Sequence, residues 1–297
     1  MNIAVILTCH NRKSLTLQSL VSLKKSIDLY NQSDKDKVNY MIYLTDDGCT
    51  DGTVEALKEI LPVNTLHVIK GDGNLFWAGG MRKAWNEAIS DVIEWDFYLL
   101  LNDDTIVNPS AVSVLMEAHR YSLATIGKSG LYSGICCDPK SGMTTYGGDI
   151  WTNRLLGLTK RLSSNGKPQE CDMANANILL VSKEVVKGLG IFYQGFIHGK
   201  ADHDYSIQAK KKGYPLFLTS DFCGVCSNDH GTTYSYKNKV LGMNLAQRVN
   251  FFKHPLNSNA DYLLFIKRNT PWRYPLVWLG RFLNVYCPQV YYMLRRN

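Results

Sequence analysis

The chain has 297 residues, 45% of them hydrophobic and 20% charged, and carries a formal net charge of +7. That length can bury a sizeable core, and the composition excludes a disordered chain. After Asp261 there is no acid, while Lys267, Arg268, Arg273, Arg281, Arg295 and Arg296 are all basic; the body is close to neutral, so nucleic-acid binding, which needs a basic face on the folded domain, gets little support.

The first apolar run, NIAVILT, reads as a buried strand; it is too short for a signal peptide and lacks a basic leader. Eight cysteines form no small-domain disulfide framework, and a reducing, cytoplasmic compartment is expected. Leu15 to Tyr30 follows with helical spacing. Beyond the polar loop NQSDKDK come the strand YMIYLT, a helix from about Val54 to Ile60, the strand TLHVIK, a helix around MRKAWNEAI, the strand FYLLL and a helix after Pro109. Continuous apolar strands separated by helices predict a parallel sheet covered on both faces. From about Ser129 the pattern changes to short strands with Gly-rich turns (GLYSGICC, GMTTYGGDIW, ANILLVS), which predicts a mixed extension of the sheet. DHDYSIQAKKKGY reads as a short helix with Gly213 as its C-terminal cap. Past Tyr236 the chain turns helical, aromatic and basic.

Two of the predicted strands end in clustered acids, LTDDGCTDGT and LLLNDDT. Ligands of such sheets bind outside the carboxyl ends of the strands. The second cluster has three readings: a turn in which Asn102 or Asp103 bonds its own backbone, an oxygen-lined site for Mg2+ or Mn2+, or a carboxylate pair. Two strand-end acids facing one crevice fit a metal plus a nucleotide best. GDGNLF has Phe76 where a dinucleotide fingerprint needs its third glycine, and no phosphate-binding loop ending in Lys-Ser or Lys-Thr is present.

In order, TCHNR, TDDGCTDGT, GNLFWAGGMRKAWN, LLNDDT and KADHDYSIQAKKKGY resemble the family 2 inverting glycosyltransferases with the GT-A fold, over roughly Asn2 to His230. The form with AGG before the acidic motif resembles bacterial enzymes that build surface polysaccharides, several of them rhamnosyltransferases. The resemblance implies an α/β fold: a mixed, mostly parallel sheet flanked by helices, with a helical aromatic and basic C-terminal tail. It divides the chain into a catalytic domain, 1–236, and a helical extension, 237–297. Within the catalytic domain, 1–128 is the nucleotide-binding half and 129–236 the acceptor-binding half. Thr8, Asn11 and Asp46 match positions that contact base and ribose, with Asp46 mattering more than Asp47. Asn74, Gly79 and Gly80 fall where the chain passes the donor sugar or diphosphate, and Trp77 either lines the sugar pocket or packs in the core. LLNDDT sits on the D-x-D motif, with Asp104 as the metal ligand, Asp103 in the middle and Asn102 replacing the first Asp. Mn2+ or Mg2+ is the implied cofactor, bound weakly without donor.

ADHD sits on the family's EDxD segment. Ala201 replaces the Glu, and Asp202 is the implied catalytic base; as plain structure it is a helix N-cap. Asp204, two helical steps on, is the weaker candidate. His230 matches a histidine that completes the metal site in many relatives; the competing zinc reading, with Cys223 and Cys226, needs a turn between residues that a strand points to opposite faces. The implied partners are a nucleotide-sugar donor and a glycan or lipid-linked acceptor. The alternatives are a sugar-phosphate nucleotidyltransferase, whose Gly-rich basic loop TCHNRKS lacks, and a non-catalytic glycan-binding protein on a degenerate transferase fold. The longest uncharged run of the tail, Phe282 to Leu294, is too short to span a bilayer. Its basic and aromatic residues suit peripheral contact with the inner face of the cell membrane; the other reading packs the tail on its own domain or on a second subunit of a homo-oligomer.

Overall fold

A computed structural model describes residues 1–33, 36–227, 233–257 and 259–295. The first half alternates: β1 (Asn2–Cys9), α1 (Lys13–Ser33), β2 (Asn39–Asp46), α2 (Thr53–Ile60), β3 (Leu66–Lys70), α3 (Phe76–Ser90), β4 (Phe97–Leu101), the two-residue β5 (Ile106–Val107) and α4 (Ala111–Ile126). The second half adds β6 (Leu131–Cys137), β7 (Thr144–Tyr146), β8 (Gly148–Asn153), β9 (Leu158–Arg161), β10 (Gln169–Glu170), β11 (Met173–Ala174) and β12 (Ile178–Ser182). These are followed by α5 (Lys183–Leu189), α6 (Ala201–Lys211) and β13 (Leu216–Val225). The chain ends in α7 (Thr233–Gly242), α8 (Leu245–Lys253), α9 (Asn259–Asn269), α10 (Tyr274–Tyr286) and α11 (Pro288–Leu294).

One sheet runs β10-β13-β6-β12-β4-β1-β2-β3, with β5 on β13 and β7 on β6. β3, β2, β1 and β4 are parallel, β12 is antiparallel to both its neighbours, and β13 is again parallel to β6. A small second sheet, β11-β8-β9, stands apart from it. The sheet is thus mixed and, by length of ladder, mostly parallel. Alternation along β4 explains its unbroken apolar sequence: Tyr98 and Leu100 join the core under α3, α6 and α9, while Phe97, Leu99 and Leu101 join the core under α1 and α4. Each such side chain, fully buried, contributes about 1.5–3 kcal/mol.

The register fixes where the acids gather. Thr8 lies opposite Thr45 and Cys9 opposite Asp46 on the β1–β2 ladder, and Ile6 lies opposite Leu100 on the β1–β4 ladder. Cys9, Asp46 and the Asn102–Asp104 segment therefore leave the sheet at one carboxyl edge.

α3 begins at Phe76, five residues before the MRKAWNEAI segment. Periodicity misses that first turn because its cap is remote in sequence. The Asp47 carboxylate accepts hydrogen bonds from the backbone N–H of Gly73, Leu75 and Phe76 at 2.9–3.1 Å. The Leu75 and Phe76 groups are donors that a helix N-terminus otherwise leaves orphaned. Gly79 and Gly80 thus lie inside a helix, not in a loop. At the far end of α6, Gly213 (φ +81°) closes the helix as expected, with its N–H on Lys210 O and that of Tyr214 on Ala209 O.

The C-terminal helices differ in how they attach. α9 places Phe265 and Ile266 in the same core as α3 and α6. α10 packs on α9, α8 and α11, with Val285 joining Val240 and Phe252 in a small separate core. Among the described residues, no helix is long and apolar enough to cross a membrane.

Candidate active site

The loops that leave β1 and β2 are laced into one corner. Asp47 N–H donates to Cys9 O, His10 Nδ1 meets Asp47 O at 2.6 Å, and Thr50 N–H donates to Asn11 Oδ1 at 2.8 Å. Asp51 Oδ2 accepts the N–H of Lys13, the first residue of α1. The same carboxylate takes the N–H of Thr53 at the start of α2, so one side chain serves the starts of two helices. Asn11 is in the left-handed region (φ 50°), as are Phe76 (φ 53°) at the start of α3 and Lys200 (φ 69°) just before α6. Side chains other than glycine adopt this conformation at a cost, and such residues concentrate at functional sites.

The expected donor contacts fall into two groups. Asp46 is half-exposed, and one of its oxygens accepts Cys49 N–H at 2.7 Å; Asp47 is buried in its capping role. Asn74 is exposed in a turn made with Asp72. Thr8 and Gly80, by contrast, face each other. A Cβ on Gly80 would lie 2.1 Å from Thr8 Oγ1, so the glycine lets α3 sit on β1, and the Thr8 hydroxyl donates to Thr45 O. Gly79 lies one position along α3 against Leu75 and Arg82. Trp77 donates its indole N–H to Asn102 Oδ1 at 2.8 Å and packs on Phe192.

Asn102 is tied from three sides. Besides the indole, its carbonyl accepts Ser19 Oγ–H, and its N–H donates to Asn177 O. Beside it, Arg12 Nη1 stands 3.2 Å from Asp103 Oδ1 and 2.9 Å from Asp104 Oδ2. Burial pushes the Asp103 carboxyl up to about 6, against the pull of Arg12. Asp104 is the more exposed of the pair, and Cys226 Sγ approaches its other oxygen. Two oxygen donors already holding a cationic group at their mouth fit a hard divalent ion. His230 lies outside the described residues. Cys223 and Cys226 do diverge: Cys223 Sγ contacts Thr219 and the Ala111 carbonyl, whereas Cys226 Sγ turns to Asn177 and Asp104.

Asp202 is the second residue of α6, not its N-cap. Its Oδ1 accepts from both the backbone N–H and Nδ1 of His203, at 2.8 and 2.9 Å, and its Oδ2 accepts from Ala176 N–H at 3.2 Å. Burial works to raise this carboxyl, yet the charge and hydrogen bonds of His203 outweigh it and hold the group well below the usual carboxylate range. The next residue, Asn177, carries the carbonyl that accepts Asn102 N–H. Asp202 and the D-x-D segment are therefore held by one two-residue bridge. Asp204 faces away and is buried, accepting from Arg268 Nε and Asn269 Nδ2 at 2.9 and 2.8 Å. It fastens α6 to α9.

Three further residues shape the site without having stood out in the sequence. Arg12 is the last letter of TCHNR, and His203 is the residue between the two aspartates of ADHD. Asp261, the last acid of the chain, accepts the N–H groups of Ile197, His198 and Gly199 at 2.7–3.1 Å. It thereby fixes the loop that precedes α6; its isolation before an acid-free tail was the available signal. A cavity of about 230 Å³ opens beside His203, bordered by Asp149, Arg161, Lys200, Tyr262 and Arg273.

Residues 4–134 match the family model described as glycosyl transferase family 2. That segment contains β1, β2 and β4 with both acidic clusters. Over that span, somewhat less than half of its length, the chain is similar to that family. Its fold matches the mannosyltransferase PcManGT from Pyrobaculum calidifontis, solved in complex with GDP-Man and Mn2+. The TM-score is 0.53 and the identity 15%, over 96% of this chain and 75% of that one. It also matches TarS 1-349 from S. aureus in complex with UDP, with a TM-score of 0.52 and 12% identity over 100% of this chain and 76% of that one. At these identities the likeness establishes the GT-A fold, not the substrate. A search of curated proteins finds no match.

Proposed function

We propose that this chain is a family 2 inverting glycosyltransferase that moves a sugar from a nucleotide-activated donor to a hydroxyl of a glycan or lipid-linked acceptor, in bacterial cell-surface polysaccharide synthesis. The reading rests on one observation above all. The D-x-D segment and Asp202 are held by adjacent residues, Asn177 and Ala176, at the carboxyl edge of the sheet. An acid suited to a donor diphosphate and an acid suited to a proton are thus parts of one rigid unit.

In this reading Asp46 and Asn11 hold the nucleoside, and Asn74 and the exposed rim of α3 face the sugar and diphosphate. Asp104, with Asp103 behind it, would hold Mn2+ or Mg2+, and His230 is proposed as a further ligand. A divalent ion held there would supply positive charge against the charge growing on the leaving diphosphate. Asp202, kept ionised by His203, accepts the proton of the acceptor hydroxyl as its oxygen bonds to the anomeric carbon. The bond from that carbon to the diphosphate oxygen breaks, and the nucleoside diphosphate leaves from the opposite face. One in-line displacement inverts the configuration and needs no covalent sugar–enzyme intermediate.

The test is release of nucleoside diphosphate by purified protein from a panel of nucleotide sugars with Mn2+. Asp202→Asn keeps the size of the side chain but removes the proton acceptor, and should lower turnover by about 10²-fold or more while donor binding persists. Turnover unchanged in that variant removes Asp202 from the role. A wild type that binds donor and never releases diphosphate is a glycan-binding protein on a transferase fold.

A further inference from the structure

We propose a second metal site, for Zn2+ or a similar thiophilic divalent ion, formed by Cys9, Cys49 and Asp46. Among the described residues these three side chains offer ligand atoms that all lie within 4.8 Å of one another. The two sulfurs are 3.6 Å apart. A tetrahedron with Zn–S bonds of about 2.3 Å has an S···S edge of about 3.8 Å, so both thiolates reach one ion with almost no movement. A disulfide, at about 2.05 Å, needs the sulfurs to close by roughly 1.5 Å.

The surroundings are built for such a site. Cys9 ends β1 opposite Asp46 on β2, so the sheet ladder itself sets two of the three ligands side by side. Cys49 is held in place by its own N–H on Asp46 Oδ1 and by the Asn11–Thr50 bond on the next residue. The backbone N–H of Asn11 points at Cys49 Sγ at 3.3 Å, the kind of outer hydrogen bond that orients and tunes a metal-bound thiolate. Cys9 closes the site from the core side, while Cys49 and Asp46 are partly exposed and leave an entry path. A fourth position falls to water.

The donor set separates this site from the D-x-D acids. Two sulfurs and one carboxylate select borderline and soft ions, whereas Asp103 and Asp104 offer only oxygen and suit Mg2+ or Mn2+. Binding replaces two S–H protons, which go to solvent, by two metal–sulfur bonds.

Co2+ is the probe, titrated into chelator-treated, reduced full-length protein. One equivalent should produce thiolate-to-cobalt charge-transfer absorption with the ligand-field bands of a tetrahedral site, and Zn2+ should bleach both. Cys49→Ser and Cys9→Ser should each abolish the charge-transfer band, and Asp104→Ala should leave it intact. Should Cys9→Ser fail to fold, Cys49→Ser and Asp46→Asn decide. The proposal is overturned by absence of the band in wild type, or by its survival in Cys49→Ser. It is equally overturned by cobalt binding that lacks sulfur charge transfer and disappears in Asp104→Ala, since that ion sits at the D-x-D acids.

Discussion

Arg12 Nη1 lies within 3.2 Å of Asp103 Oδ1 and 2.9 Å of Asp104 Oδ2, so one guanidinium spans both acids of the D-x-D segment. A cation already occupies the mouth of the proposed ion site, and a divalent ion must displace it or share the carboxylates with it. Arg12→Ala should therefore tighten Mn2+ binding in the absence of donor by on the order of fivefold, about 1 kcal/mol for a partly exposed pair. Calorimetric titration reads this directly. If the variant binds Mn2+ no better than wild type, the ion does not meet Arg12.

The raised Asp103 carboxyl has a consequence for stability. Its folded value is about 6, against roughly 4 for an unfolded Asp. A raised value stabilises the fold fully below the unfolded value, and that contribution disappears as pH rises through about 6. Wild type should thus lose up to about 3 kcal/mol relative to Asp103→Asn between pH of about 4 and about 7. Urea unfolding across that window measures it, and parallel curves for the two proteins contradict the assignment.

His203 is a positioning residue for the proposed base. Burial alone raises Asp202, and the imidazole reverses it. In His203→Ala, burial dominates and the carboxyl titrates higher. The acid limb of the pH–rate profile should move towards neutrality, while turnover at high pH falls less than in Asp202→Asn. A loss of activity equal at every pH points instead to a packing defect.

How much of this was legible in the sequence depends on how far apart the interacting residues are. The alternation of strands and helices was readable because each buried strand is a continuous apolar run and each helix carries its own period. The start of α3 was not, because Asp47 caps it from across the crevice, 26 to 29 residues away. Arg12 and Asp103 are 91 residues apart, and no local pattern announces such a pair. The tight contact between Thr8 and Gly80 joins a strand to a helix far along the chain, and no local pattern announces it either.

That contact can be tested alone. A methyl group on Gly80 would collide with Thr8 Oγ1 and Cβ, both buried, so α3 would have to lift from β1. Gly80→Ala should cost about 1–3 kcal/mol of stability, read by thermal or urea unfolding, and Thr8→Ala in the same chain should recover part of it. If Gly80→Ala unfolds like wild type yet loses donor affinity, the glycine serves the ligand and not the packing.

The tail offers the last prediction. On α10, Trp278, Phe282 and Tyr286 stack in sequence along one exposed face, with ring centroids 5.5 and 4.6 Å apart. Leu276 and Leu279 on the same helix are also exposed, as are Met293 and Leu294 on α11. Arg281 does not share that face; it lies over the Tyr262 ring of α9. α9 itself is bound into the catalytic core through Asp204 and Asp261, so the exposed apolar surface belongs to α10 and α11. We propose that this surface meets an anionic membrane, where aromatic rings settle at the headgroup level and nearby basic residues add about 1 kcal/mol each. Trp278→Ala combined with Phe282→Ala should cut co-sedimentation with anionic liposomes at low salt by about tenfold or more, while donor binding stays unchanged. Liposome binding that survives both substitutions rejects the membrane contact. A wild-type dimer that these substitutions convert to monomer assigns the face to a second copy of the chain.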